Sequence, residues 1–289
     1  MKFTIDPKIR IVADSGADIF SMPGVDFYVA PLKIITAQQQ YVDNAELNVR
    51  KMVDDLQSYS GKSTTSCPNV VDWLMAFGDA EEVYCATITG TLSGSYNAAV
   101  QAKAIYEEKY PGRKVFVLNS LSAGPEMKLH LEKIVQLIRQ GLDFETICEE
   151  VTQYTEKTGL LFMLESIKNL TNNGRVSPLV AKMLGVLGIR LVGTASEKGD
   201  LKPLSKCRGE AKALDSIVAH MKEMGFIGGK VHIDHCFNEE AAKMLQKRLH
   251  KEFEKVQVTI AHCRGLCSFY AEKGGMLIGF EKNLQEYYV

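Results

Sequence analysis

The sequence has no long apolar run, no surplus of basic residues and no regularly spaced cysteines. None of its apolar stretches approaches the ~18 residues that a membrane-spanning helix needs. Its formal net charge of −1 argues against a nucleic-acid-binding protein, which normally has a basic surplus. Its seven cysteines are odd in number, which favours reduced thiols over a disulfide framework. Residues 1–10 lack the apolar core of a secretion signal, so we expect a cytoplasmic protein.

The glycine motifs that bind nucleotide phosphates are also missing from the loop where they would be expected. Residues 89–95 contain neither G-x-x-x-x-G-K-[ST] nor G-x-G-x-x-G, and no lysine is placed to reach a phosphate. A kinase or dehydrogenase function is therefore poorly supported.

The length of 289 residues favours two domains over a single core. In the first part of the chain, strand-like and helical segments alternate, which predicts a parallel sheet covered by helices. We therefore predict an α/β domain over residues 1–158 and a mixed α+β domain over residues 159–289. A cleft between the two domains is the natural ligand site.

The segment at residues 82–112 predicts a strand, a loop of small residues and a helix. Free N–H groups of the first helical turn and the helix dipole would both favour an anion at this loop. Ser93 stands at or just before the first turn, where its hydroxyl can donate to a carboxylate or phosphate oxygen. The alternative is that Ser93 only caps the helix.

The second part of the chain has a different pattern. Residues 191–195 and 201–208 predict an antiparallel hairpin. Ser177 followed by Pro178 predicts a helix start, because a cap followed by proline at the first position is favoured there.

The residue types present would also suit two kinds of catalytic site. A serine hydrolase would use Ser93 with His262, but the order Gly90-Thr91-Leu92-Ser93-Gly94 is one residue out of register with G-x-S-x-G. A zinc site would use the His/Cys clusters at residues 232–236 or 262–267. On a strand, residues 232 and 236 share a face that residue 235 does not, and the second spacing matches no standard zinc knuckle.

A binding protein for a small anion with a long apolar tail is the remaining interpretation. The hydroxyl-rich segments at residues 64–66 and 91–95 would bind the head, and leucine, isoleucine and methionine side chains would line a tunnel for the tail. Core packing uses the same apolar residues, so the spacing alone favours this interpretation only slightly.

Five motifs, in order along nearly the whole chain, resemble those of the DegV family of bacterial fatty-acid-binding proteins. They are VADSGADI at 12–19, TSCP at 65–68 (similar to TSQP), LSGSY at 92–96 (similar to LSGTY), NGRVS at 173–177 (similar to GGRIS) and the KP and KxR pairs at 202–208. The resemblance implies two α/β domains with a fatty acid between them. It also implies a carrier without catalytic residues, cofactor or metal, which presents the fatty-acid carboxylate to a partner fatty-acid kinase.

The resemblance further implies roles for individual residues. Thr65, Ser93, the Gly94 N–H group and His262 would bind the carboxylate. Three further residues are expected to contact the pocket or the partner: Ser66, Arg175 and Arg264. The chain departs from the family's H-x-G-P-G, since it has Cys-Arg-Gly-Leu at residues 263–266, and it has Cys67 in place of glutamine.

A carrier must also meet a membrane or a partner. The predicted helix at residues 238–254 has a basic face that would suit a transient membrane contact, although a solvated helix face explains the same pattern. Its basic residues are Lys243, Lys247, Arg248 and Lys251.

Overall fold

The N-terminal half of the chain forms a parallel sheet. The structure, a computed structural model, describes residue 6, residues 8–176, residue 180 and residues 188–282. The strands of the parallel sheet, in spatial order, are β2 (Asp26–Ala30), β1 (Ile9–Asp14), β6 (Glu82–Thr87) and β7 (Lys114–Asn119). The prediction of a parallel sheet in this half is confirmed.

Helices cover both faces of this sheet. They are α2 (Val70–Phe77), α3 (Ser95–Lys109), α4 (Pro125–Arg139) and α5 (Phe144–Glu156). Side chains alternate between the faces of a strand, so Val83 packs in the cluster with α2 and α3, whereas Tyr84 packs in the cluster with α4 and α5. The sheet is therefore buried on both sides, as parallel sheets are.

A small antiparallel sheet, which the sequence did not predict, lies beside this layer. Its strands are β4 (Gln40–Val42), β3 (Lys33–Ile35) and β5 (Thr64–Ser66), in that order. Helix α1 (Val49–Ser58) connects two of its strands, and Asn48 caps the start of this helix by accepting from the Lys51 N–H group.

The C-terminal half forms a mixed sheet. Its order is β10 (Leu201–Arg208), β9 (Ile189–Ala195), β8 (Thr158–Leu164), β13 (Met276–Glu281), β11 (Gly229–His235) and β12 (Val256–His262). The predicted hairpin of β9 and β10 is confirmed as antiparallel, while β11 and β12 are parallel. This pattern confirms the mixed α+β class of this half.

Four helices are described in the C-terminal half. They are α6 (Lys168–Asn172), α7 (Glu210–Glu223), α8 (Glu239–Glu252) and α9 (Gly265–Ala271). The predicted helix start at Ser177-Pro178 lies outside the described residues. Within the described ranges, no helix combines the length and apolarity that crossing a bilayer requires.

Helix α4 joins the two halves. It packs against β6 of the first sheet and against β8, β11 and β13 of the second. The approach to β13 is so close that a Cβ atom on Gly279 would lie 2.5 Å from the Glu126 backbone nitrogen. The division of the chain at residue 158 stays a prediction, because the halves share this helix.

Candidate functional site

A cavity of about 320 Å³ lies between the parallel sheet and the mixed sheet. Most of its wall is apolar. Large apolar side chains come from both halves, among them Leu32, Ile88, Leu160, Phe162, Leu164 and Leu277. Residues far apart in the sequence thus form one apolar surface, which an elongated apolar molecule can occupy.

One part of the wall is polar and contains most of the predicted site residues. Thr65, Ser66, Ser93, Gly94 and Arg175 all line the same cavity. Strand β5 supplies the first two, and the loop before α3 supplies the next two. The structure therefore brings together the two hydroxyl-rich segments that the sequence singled out.

The chain just after β5 meets the loop before α3 at Cys67 and Gly94. A Cβ atom added to Gly94 would lie 3.2 Å from the Cys67 sulfur, so glycine permits this approach. Gly94 is also the N-cap of α3 and has no side chain with which to cap it. The start of a 15-residue helix thus lies at the polar end of the cavity, where its dipole favours a negative charge.

Thr65 is bonded to a residue that sequence reasoning missed. Its Oγ1 atom lies 2.7 Å from the Tyr270 hydroxyl, which comes from α9 and also lines the cavity. Burial raises the pKa of Tyr270, so the phenol stays protonated and can donate a hydrogen bond. No local pattern pointed to this tyrosine, because the two residues are 205 positions apart.

The buried carboxylate of Asp14 positions the start of α3. It accepts a hydrogen bond from the Ser95 hydroxyl at 2.6 Å and another from the Ile88 N–H group at 2.9 Å. Ser93 is bonded within the same turn, since its hydroxyl oxygen accepts from the Ser95 N–H group at 3.2 Å. Burial raises the pKa of Asp14 to about 6.

A second buried carboxylate positions the start of α9. Asp43 accepts from the Gly265 and Leu266 N–H groups, both at 2.8 Å. A Cβ atom on Gly265 would lie 2.6 Å from Asp43 Oδ1, so only glycine fits there. Asp18 accepts from the Arg264 N–H group at 2.9 Å. These hydrogen bonds hold the turn at residues 263–266, where the chain lacks the Gly-Pro-Gly of the family motif.

Arg175 supports the loop before α3. Its Nε–H group donates to the Leu92 carbonyl oxygen at 2.9 Å, while the side chain remains part of the cavity wall. The guanidinium thus links the C-terminal half to the loop that carries Ser93.

The structure does not bring His262 or Arg264 to the cavity. His262 ends β12, the edge strand of the mixed sheet, and its side chain is exposed, with its ring centroid 4.4 Å from that of His235. Arg264 donates to the Asn44 carbonyl oxygen at 3.0 Å and stacks on Phe20. Neither residue is part of the cavity wall.

The geometry gives the catalytic alternatives no support. No histidine is among the described residues that line the cavity, and the described hydrogen bond of Ser93 is to a backbone amide. In the ranges that the structure describes, no group of three His, Cys, Asp or Glu side chains is placed to bind a metal ion.

The fold and cavity define an α/β protein with an apolar cavity between its parallel and mixed sheets, and the polar end of this cavity combines hydroxyl groups with a helix start. A family model described as an uncharacterised protein of the DegV family matches residues 8–283. A DegV domain-containing protein of Streptococcus pneumoniae is 42% identical over 276 residues, which are 94% of this chain and 98% of that protein. The chain belongs to the DegV family.

Two solved structures extend the comparison. A DegV family protein of Eubacterium eligens, loaded with heptadecanoic acid, is 40% identical with a TM-score of 0.93 and covers 95% of this chain and 99% of its own. The Streptococcus pneumoniae Fatty Acid Kinase (Fak) B3 protein, loaded with linoleic acid, is 42% identical with a TM-score of 0.92 and covers 94% and 99%. The family and fold expected from the sequence motifs are confirmed.

Proposed function

We propose that this protein binds a long-chain fatty acid in the cavity between its two sheets and presents the carboxylate to a partner fatty-acid kinase. The observation that carries the proposal is the single cavity that joins a long apolar wall to the hydroxyl groups of Thr65 and Ser93. Relatives of about 40% identity are loaded with fatty acids of the same kind.

The apolar tail would supply most of the binding free energy. A C16 acyl chain has about fourteen CH₂ groups, and at ~0.8 kcal/mol each their burial gives roughly 11 kcal/mol before ordering costs. The polar end of the cavity then has a different task, which is to fix the direction in which the fatty acid lies.

The head group would be bound mainly by neutral donors. In the proposed complex, the hydroxyls of Thr65 and Ser93 and the Gly94 N–H group donate to the carboxylate, and the start of α3 adds its dipole. Among the described lining residues there is no lysine, and the lining cation Arg175 is bonded to Leu92. A neutral set of donors leaves the carboxylate oxygen nucleophilic for transfer.

The phosphoryl chemistry would come from the partner. The loop before α3 lacks the glycine and lysine pattern that binds nucleotide phosphates, so the chain is proposed as a carrier rather than an enzyme. The pneumococcal neighbour is a protein of a fatty acid kinase, which supports a kinase as the partner.

The proposal includes the division into residues 1–158 and 159–289 as two sides of the lipid cleft, and a cytoplasmic location.

For the basic face of α8, the contacts favour a solvated helix over a transient membrane contact. Lys243 pairs with Glu239 at 2.7 Å and Arg248 pairs with Asp215 at 2.8 Å.

Reconstitution tests this function directly. The protein loaded with palmitic acid is mixed with ATP and the kinase subunit of the pneumococcal fatty acid kinase, and acyl phosphate is trapped with hydroxylamine. We expect turnover with the wild-type protein and a loss of about tenfold or more for Ser93→Ala, because one donor to the head group is removed. Equal turnover for wild type and Ser93→Ala would contradict the proposed role of Ser93, and a protein that cannot be loaded would contradict the function itself.

A further inference from the structure

A tyrosine of α9 lies at the polar end of the cavity, where the sequence predicted a histidine. Tyr270 lines the cavity, whereas His262, which precedes α9 by three residues, is not part of the wall. The Tyr270 hydroxyl lies 2.7 Å from Thr65 Oγ1. This contact joins the C-terminal half of the chain to one of the two hydroxyl-rich segments.

Contacts on two sides fix the position of Tyr270. Its ring packs edge to face against Phe269, with the ring centroids 4.9 Å apart. The Asn169 side chain of α6 donates to the Phe269 carbonyl oxygen at 2.8 Å, which ties α6 to α9. The Asn173 side chain, at the end of α6, donates to the Ser63 carbonyl oxygen just before β5 at 3.2 Å. Helix α6 therefore holds α9 against β5, and the tyrosine hydroxyl has a fixed place between them.

These bonds determine how many hydroxyl hydrogens a carboxylate could receive at the polar end. Each hydroxyl has one hydrogen to donate and two lone pairs that can accept. Ser66 donates its hydrogen to the Cys67 carbonyl oxygen at 3.2 Å. The Ser93 oxygen accepts from a backbone amide, and that bond leaves the Ser93 hydrogen for a ligand. The bond between Thr65 and Tyr270 uses one of their two hydrogens, so the pair offers one hydrogen to a ligand.

The chemistry of the two hydroxyls sets the direction of their bond. The phenol of Tyr270 is the more acidic group and the better donor, so its hydrogen goes to Thr65 Oγ1. Burial raises the pKa of Tyr270, which keeps this hydrogen in place. The threonine hydrogen then remains for a carboxylate. A hydroxyl that accepts one hydrogen bond is polarised and donates the next one more strongly.

We propose that Tyr270 is a positioning residue, which orients the Thr65 hydroxyl toward the carboxylate of the bound fatty acid. This inference rests on the proposed function, in which Thr65 donates to that carboxylate. Tyr270 acts through Thr65, so its effect on binding depends on the Thr65 hydroxyl. A tyrosine that only stabilised the fold would affect binding whether or not that hydroxyl is present.

A double-mutant cycle separates the two roles. Tyr270→Phe keeps the ring and removes the hydroxyl, Thr65→Val keeps the shape of the threonine, and a third protein has both changes. The affinity of each for palmitic acid is measured by competition with a fluorescent fatty acid. Tyr154→Phe is the matched control, because the Tyr154 hydroxyl also donates at 2.7 Å, to Glu281 Oε1, and Tyr154 is not among the described residues that line the cavity.

We expect Tyr270→Phe to lower the affinity for palmitic acid about fivefold, because the Thr65 hydroxyl loses the partner that orients it. In the Thr65→Val protein, the same substitution should change the affinity less than about twofold, since the group that it acts through is already absent. Tyr154→Phe should bind like the wild type.

Three results would overturn the proposal. They are an unchanged affinity of Tyr270→Phe, an equal loss from Tyr270→Phe with and without the Thr65 hydroxyl, and a comparable loss in Tyr154→Phe. The second would show that Tyr270 acts independently of Thr65, and the third would show a general effect of stability. A wild-type protein that does not bind palmitic acid would instead contradict the proposed function, before the role of Tyr270 is measured.

Discussion

Individual residues of the polar end differ in how far the sequence could place them. Thr65 and Ser93 each stand in a hydroxyl-rich motif, and both line the cavity as expected. Tyr270 could not be found this way, because its role depends on a contact between α9 and β5 across 205 positions. His262 was placed from the family's motif, but it ends an edge strand and is exposed.

The bond between Thr65 and Tyr270 gives a prediction at this scale. Tyr270→Phe removes the 2.7 Å hydrogen bond that links β5 to α9, so we expect the free energy of unfolding to fall by about 1 kcal/mol. Urea unfolding measures this change. Tyr28→Phe is the control, since Tyr28 is 44% exposed, and it should leave the free energy unchanged. A Tyr270→Phe protein as stable as the wild type would show that this bond contributes nothing net.

At the scale of elements, most long segments were predicted because their apolar periodicity is clear. The pattern of the chain indicated a strand, a loop and a helix within residues 82–112, where β6 and α3 lie, and the β9–β10 hairpin close to its observed bounds. The antiparallel sheet of β3, β4 and β5 was not predicted as a sheet, because strands of three residues are too short to show a period. The starts of α3 and α9 depend on buried carboxylates from distant loops, which no local pattern reveals.

Those carboxylates predict how stability depends on pH. Burial raises the pKa of Asp14 and of Asp43 to about 6, and this effect outweighs the hydrogen bonds that they accept. The folded state therefore binds their protons more tightly than the unfolded chain does. Their contribution to stability is complete below a pH of about 4 and is lost as the pH rises through about 6. Burial also raises the pKa of Asp234, which adds a third aspartate that acts in the same direction.

We expect the free energy of unfolding to fall between pH 5 and pH 8, by about 1.4 kcal/mol for each buried aspartate whose pKa is about 6 in the folded state, because about one pH unit of this range lies below that pKa. Urea unfolding at several pH values measures the slope. Asp43→Asn should reduce the slope by the share of one titrating group, whatever its effect on the stability at a single pH. Stability that stays flat or rises over this range would contradict the assigned protonation of the buried aspartates.

At the scale of the whole molecule, alternation of strands and helices predicted a parallel sheet followed by a mixed sheet. The order of the strands was not predictable, because β13, the last strand described, inserts between β8 and β11. That insertion places Leu277 opposite Phe162 in the wall of the cavity, so the apolar wall depends on contacts between the ends of the C-terminal half.

The cavity itself predicts the effect of filling it. Ala123 lines the cavity, and Ala123→Phe places an aromatic ring in the space of the acyl chain. We expect fatty-acid affinity to fall about tenfold or more, with a cost of about 1–3 kcal/mol in stability from overpacking. Titration with a fluorescent fatty acid measures the affinity. Val100→Phe adds a ring on the exposed side of α3 and should bind like the wild type. Unchanged affinity in Ala123→Phe would place the ligand elsewhere.

The most direct measurement is native mass spectrometry of the wild-type protein purified from bacteria, followed by lipid extraction of the same sample. The account predicts one long-chain fatty acid bound to each chain, which is released on denaturation. A protein that carries no fatty acid, and takes none up when palmitic acid is added, would contradict the account.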